Sequence, residues 1–298
     1  MVHNPMFNVK PPPSKHRPKM ITSLLAALIL MVALAGLDLH PLSPPRAAAG
    51  AAITSSTDTS ALLDIYLPIV HKKDNLVNPF GVETHSSYLP GNTITNYTQQ
   101  LNANYARMNG RISWRELQPN EGDPIDWASL ADFEIELRTM RTANLTPIIV
   151  VDDYPRWATI YPTSCGPLLP ERYDDFAVFM QALVDRYSRY EFGVHIWEMG
   201  NEPDVDYRLL EVDSHYGCWG NWDDPFYNGR AYGAMLKVVT PAVRAVDPHA
   251  QVWIGGLLLA SPNTIDDHIG QPEDFFRGIL ETGAGPYIDG VTYHAYTH

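Results

Sequence analysis

From Asn78 onward, short apolar runs alternate with longer stretches whose apolar residues recur at helical spacing. No other feature of the chain narrows its fold as much. Strand-length runs followed by segments of period 3.6 read as βα units, and hence as a parallel sheet. Six strands are expected, over Pro79–Glu83, Tyr105–Trp114, Pro147–Val151, Val194–Met199, Gln251–Leu257 and Val291–Tyr296. The third is continuously apolar, as suits a strand covered on both faces. Between them, Trp127–Ala143 sets Leu130, Phe133, Leu137 and Met140 on one stripe, and Tyr173–Tyr190 does so with Phe176, Phe179, Leu183 and Tyr187. Gly229–Val246 repeats the pattern and stops at Asp247-Pro248, and a shorter helix is expected over Glu273–Glu281.

The architecture these units build is of the (β/α)₈ barrel type. Strand starts are spaced more widely than the about 31 residues per unit of a plain barrel, in which ~250 residues serve eight units. The excess falls after strands three and four, at Asp152–Arg172 and Pro203–Asn228. Those connections form the face of a barrel where chemistry is done. They carry Tyr154, Trp157 and Tyr161 in the first, and Tyr207, Tyr216, Trp219, Trp222, Phe226 and Tyr227 in the second. Such rings either cover a ligand or pack the two loops on each other. Only about six βα units are present, and His298 falls inside or just after the sixth strand. The expectation is a barrel incomplete at its C-terminal side, with a seventh strand lying beyond the sequence.

The first 49 residues read as a targeting segment. Lys10, Lys15, Arg17 and Lys19 precede an apolar run from Met20 to Leu37, and Ala47-Ala48-Ala49 follows a proline-rich stretch. This is the layout of a secretory signal with an A-x-A-like cleavage site. Left uncleaved, a run of roughly 18 apolar residues would serve as a membrane anchor. Residues 50–77 read as a linker with a short apolar segment, and 78–298 as the barrel. The expected location is therefore extracellular, secreted or on the cell surface. Hydrophobic residues at 45% and charged residues at 18% support a packed core. A net charge of −13 argues against nucleic-acid partners, whose binding needs a basic surface. The two cysteines, Cys165 and Cys218, both fall in long loops, so export makes a disulfide between them admissible. Two cysteines at this spacing do not by themselves suggest a metal site.

The densest concentration of chemistry is Trp197-Glu198-Met199-Gly200-Asn201-Glu202-Pro203-Asp204. Pro203 cannot continue a central strand, so the strand ends at the Glu202 carboxylate. A carboxylic acid at the barrel mouth, set against Trp and Tyr rings, would keep its proton to a higher pH and could donate it to a leaving oxygen. In context, the chain resembles the retaining clan-A glycoside hydrolases, the superfamily of cellulases and β-xylosidases, over about residues 78–298. Asn201-Glu202-Pro203 matches the end of that superfamily's fourth strand. Trp114-Arg115-Glu116-Leu117-Gln118-Pro119, followed by Glu121-Gly122 and Asp126-Trp127, is similar to its second-strand signature. Pro147-Ile148-Ile149-Val150 with Tyr154-Pro155-Arg156-Trp157-Ala158 is similar to its third, and His294-Ala295-Tyr296 to the His-x-Tyr that closes the sixth.

The resemblance implies roles. Glu202 would be the general acid and then the general base, and Asn201 would hydrogen-bond a sugar 2-hydroxyl. His294 and Tyr296 would line the reacting subsite. Arg107, or failing it Arg111, would sit near the nucleophile, with an ion pair inside the barrel as the other role open to it. Trp157 would offer a platform to a sugar ring. The substrate would be an oligo- or polysaccharide, and no cofactor is called for. One departure matters. The second carboxylate of such a mechanism comes from the end of strand seven, and no residue of this sequence is carried over to that role. Glu83, Asp152 and Asp204 near other strand ends are not promoted to it. The alternative function is a non-catalytic carbohydrate-binding or cell-surface protein on a degenerate barrel.

Overall fold

The computed structural model describes residues 79–85, 98–161, 165–209, 219–258 and 271–295, all within one compact unit. Among them are six strands: β1 Gly81–His85, β2 Tyr105–Ser113, β3 Thr146–Asp152, β4 Ile196–Met199, β5 Gln251–Leu258 and β6 Gly290–His294. They form a single sheet in the order β1-β2-β3-β4-β5-β6, every neighbouring pair parallel. The sheet is a curled partial (β/α)₈ barrel. Residues 1–49, expected to be a targeting segment, and 50–77, expected to be a linker, lie outside the described residues. Among the described residues, no helix is long and apolar enough to cross a membrane.

Helices return the chain between strands: α1 Trp114–Leu117, α2 Ala131–Thr142, α3 Tyr173–Tyr187, α4 Gly229–Val246 and α5 Pro272–Glu281. The structure shortens several expected elements for local reasons. Ser113 ends β2 because its hydroxyl accepts from the Glu116 N–H at 3.1 Å and caps the single turn of α1, so Trp114 belongs to a helix. Trp127–Leu130 is a 3₁₀ turn capped by Asp126 rather than the start of α2. The C-terminal end of α3 falls at Tyr187, before the left-handed Gly193.

Strand alternation divides the sheet into two unlike faces. Met108, Ile149, Val151, Trp197, Met199, Val252, Ile254 and Leu257 point toward the helices and join Phe176, Phe179, Leu183, Met235, Leu236 and Phe275 in one core. The opposite face carries Glu83 and Arg107, paired in register, and, two residues further along the strands, Val150 and Glu198, also paired. The apolar run expected over Pro147–Val151 lies within β3, which extends one residue further. Asp152 follows on the inner face and is 5% exposed.

Three of the loop aromatics pack inside, and the other described ones are partly buried. Tyr154, Trp219 and Tyr227 are buried members of the core. Tyr161 stacks on Tyr207 with ring centroids 3.7 Å apart, tying the two long loops together, and the Arg208 guanidinium lies 3.7 Å over Trp222. Tyr216 lies outside the described residues. Loop–loop packing thus engages Tyr154 with Trp219 and Tyr161 with Tyr207.

Candidate active site

Glu202 stands three residues beyond the end of β4, after a turn through Gly200 with φ 80°. Its own φ is 53°, a left-handed conformation that costs a non-glycine residue on the order of 1 kcal/mol. Backbone bonds fix the turn on both sides. The Gly200 N–H donates to the Val151 carbonyl at 2.8 Å, and the Trp219 and Gly220 N–H groups donate to the Pro203 carbonyl, each at 3.0 Å. The Glu202 Oε1 lies 2.8 Å from His294 Nδ1 at the end of β6, with the two side chains only 14% and 11% exposed. Strand ends 92 residues apart in sequence thus meet as a carboxyl–imidazole pair.

His294 can stand there because β5 carries glycine beneath it. A Cβ on Gly256 would overlap the His294 imidazole, and one on Gly255 would overlap the Gly200 carbonyl. The two glycines of β5 let β4, β5 and β6 crowd together at the mouth.

Below the pair lies a charged cluster. Arg107 grips Glu198 with two bonds, Nε to Oε2 at 2.9 Å and Nη2 to Oε1 at 2.7 Å. The same Nη2 donates to Asn201 Oδ1 at 2.9 Å, and Nη1 donates to Glu83 Oε1 at 2.8 Å. Glu198 is fully buried, and its Oε1 also accepts from the Gly256 N–H at 2.9 Å and from the Thr292 hydroxyl at 3.0 Å. Burial works to lower the Arg107 pKa, but the bond and charge of Glu198, with Glu83 and Asp152, leave it raised.

Two further carboxyls are buried nearby. Loss of hydration pushes Asp152 up to about 8, with the charge of Asp153 adding to it and that of Arg107 opposing it. The same loss pushes Asp204 up to about 7 against the Leu258 N–H, which donates to its Oδ1 at 2.9 Å. Each has one buried carboxyl oxygen without a hydrogen-bond partner. Each therefore holds its proton well above the ordinary carboxylate range.

Of the residues singled out in the sequence, Glu202 and His294 meet directly, and Asn201 meets Arg107. The ion pair open to Arg107 forms, with Glu198 and Glu83. Trp157 does not join them. Its ring lies 5.2 Å from Trp114 and 5.4 Å from the Arg172 guanidinium, and its indole N–H donates to the Gln118 carbonyl at 3.4 Å. Tyr296 and Cys218 lie outside the described residues, as does the Arg111 side chain. Cys165 is buried and is not a free thiol. Among the described residues, no group of three His, Cys, Asp or Glu side chains converges as a metal site. Sequence reading passed over Glu198, although a carboxylate inside an otherwise apolar strand signals a buried partner of opposite charge.

Neither a protein-family model nor a curated protein sequence matches the chain. Solved structures do match in fold. A family 39 glycoside hydrolase from the gut symbiont Bacteroides cellulosilyticus WH2 superposes with a TM-score of 0.51 at 20% identity, over 72% of this chain and 38% of its own. A family 30 subfamily 8 xylanase, Xyn30A, from Clostridium acetobutylicum superposes with a TM-score of 0.52 at 15% identity, over 74% of this chain and 50% of its own. The fold is that of these cellulase- and xylosidase-like glycoside hydrolases, and the chain spans half or less of either.

Proposed function

We propose that this chain carries the acid/base half of a retaining glycoside-hydrolase site, with Glu202 as the proton donor. The observation that carries the proposal is the Glu202–His294 pair at 2.8 Å, built from the ends of β4 and β6 above a polar inner face. With the imidazole Nδ1–H donated to Oε1, the acidic proton resides on Oε2. In the first step it passes to the glycosidic oxygen while the bond from that oxygen to the anomeric carbon breaks and a second carboxylate bonds to the carbon. In the second step the Glu202 carboxylate takes a proton from water as the water oxygen displaces that carboxylate. His294 serves both steps without changing partner, since Oε1 accepts in either state. Asn201 lies alongside to hydrogen-bond the sugar 2-hydroxyl. The nucleophile is assigned to no residue of this chain. General acid–base assistance of this kind contributes about 10²–10⁴-fold to rate. The substrate class is an oligo- or polysaccharide reached outside the cell, after export directed by the N-terminal segment.

The test is independent of turnover. The full chain is incubated with N-bromoacetyl-β-D-xylopyranosylamine, whose electrophile reaches the position of the departing oxygen, and the adduct is located by peptide mass mapping. An ester at Glu202, slowed by competing sugar and lost in Glu202→Gln, is expected. Labelling confined to exposed carboxylates would remove Glu202 from the role.

A further inference from the structure

Glu198 takes no part in proton transfer, yet no other acid in the described inner face is so completely enclosed or so fully bonded. It accepts from three elements besides its own: the Arg107 fork on β2, the Gly256 N–H on β5 and the Thr292 hydroxyl on β6. One role for a carboxylate sealed from water at such a cost is to fix a geometry. What it fixes is the guanidinium plane, because a bidentate pair leaves Arg107 no freedom to rotate. Nη2 is then directed at Asn201, whose Oδ1 receives it at 2.9 Å. An amide with its oxygen committed to a cation must present its NH₂ on the other side.

We propose that Glu198 is a positioning residue: acting through Arg107, it sets the rotation of the Asn201 carboxamide so that the amide offers donors to the sugar 2-hydroxyl. This rests on the role given to Asn201 above and adds what holds Asn201 in that role. A lysine in place of Arg107 would keep the charge against Glu198 and Glu83 but could not bridge Glu198 and Asn201 in one plane.

Two measurements on the full chain test this and separate it from the function itself. The first is ¹⁵N NMR of the Asn201 side-chain NH₂ without ligand, assigned through its loss in Asn201→Asp. Glu198→Gln and Arg107→Lys should both shift this pair and speed its exchange with water. Because Glu198→Gln strands a buried guanidinium and can unfold the chain, Arg107→Lys carries the test if it does. An unmoved pair in a variant that melts cooperatively would overturn the proposal. The second is binding of 4-nitrophenyl 1-thio-β-D-xylopyranoside and of its 2-deoxy counterpart. The parent chain should prefer the first by about tenfold, the worth of one hydrogen bond, and the variants by close to onefold. A preference that survives in both variants would overturn the proposal even if the NMR pair moves. An NMR shift in a chain that binds neither glycoside would instead count against the glycosidase role, with the Glu198–Arg107–Asn201 clamp standing.

Discussion

Replacing Asp204 by asparagine isolates the energetic consequence of burying a carboxyl beside the site. The side chain is fully buried, with Oδ1 on the Leu258 N–H and Oδ2 without a hydrogen-bond partner. Its pKa rises from 3.8 to about 7, chiefly through lost hydration. A folded-state pKa above the unfolded one means that the unfolded chain releases its proton first as pH rises. The Asp204 contribution is thus fully present below about pH 4, falls between about 4 and 7, and levels off above. At about 1.4 kcal/mol per pH unit, that displacement amounts to about 4 kcal/mol. Asparagine copies the protonated acid and does not titrate, so its fixed cost or benefit is the same at every pH. The assay is urea unfolding at pH 4, 5, 6, 7 and 8. The stability of Asp204→Asn relative to the parent should rise by up to about 4 kcal/mol across the series, or more than about 1 M in midpoint at an m-value of about 3 kcal/mol/M. Asp152 adds a fall of its own up to about pH 8 in both proteins, so the variant's slope is reduced rather than abolished. Parallel curves for the two proteins from pH 4 to 8 would refute the reasoning.

Gly256→Ala should slow labelling of Glu202 by at least tenfold, because the new methyl group displaces the His294 imidazole, while Gly285→Ala, whose Cβ meets only Leu280 at 3.9 Å, should leave labelling unchanged. Trp114→Ala should cost about 3–5 kcal/mol in urea unfolding, since the ring is fully buried and packs 5.4 Å from Phe179 and 5.2 Å from Phe176. Mass mapping without reductant should join Cys165 to Cys218, and two alkylatable thiols in the exported protein would contradict that pairing.

The order and type of the elements could be read directly from the sequence. Gly229–Val246 matches its expected bounds to the residue, and all six described strands fall within a few residues of theirs. Periodicity and a proline that ends a strand are local signals, carried by residues near in sequence. The placing of Glu202 at the mouth of β4 followed from Pro203, while that of His294 near the end of β6 came from the family resemblance; in a parallel sheet the C-terminal ends of the strands share one side.

Tertiary structure alone decided which side chains meet. Arg107 and Glu198 are 91 residues apart, and their pairing depends on the β2–β3 and β3–β4 registers. A slip of one residue would turn either side chain into the apolar core. Burial likewise depends on distant segments: Asp204 becomes a high-pKa acid because folding strips its hydration, against the opposing Leu258 N–H at the end of β5, and Tyr154 and Trp219 become core because two long loops fold inward together. Residue type and spacing thus sufficed to put Glu202 at the end of a strand, while its hydration and its neighbours' orientation were settled only by contacts between strands far apart in the chain.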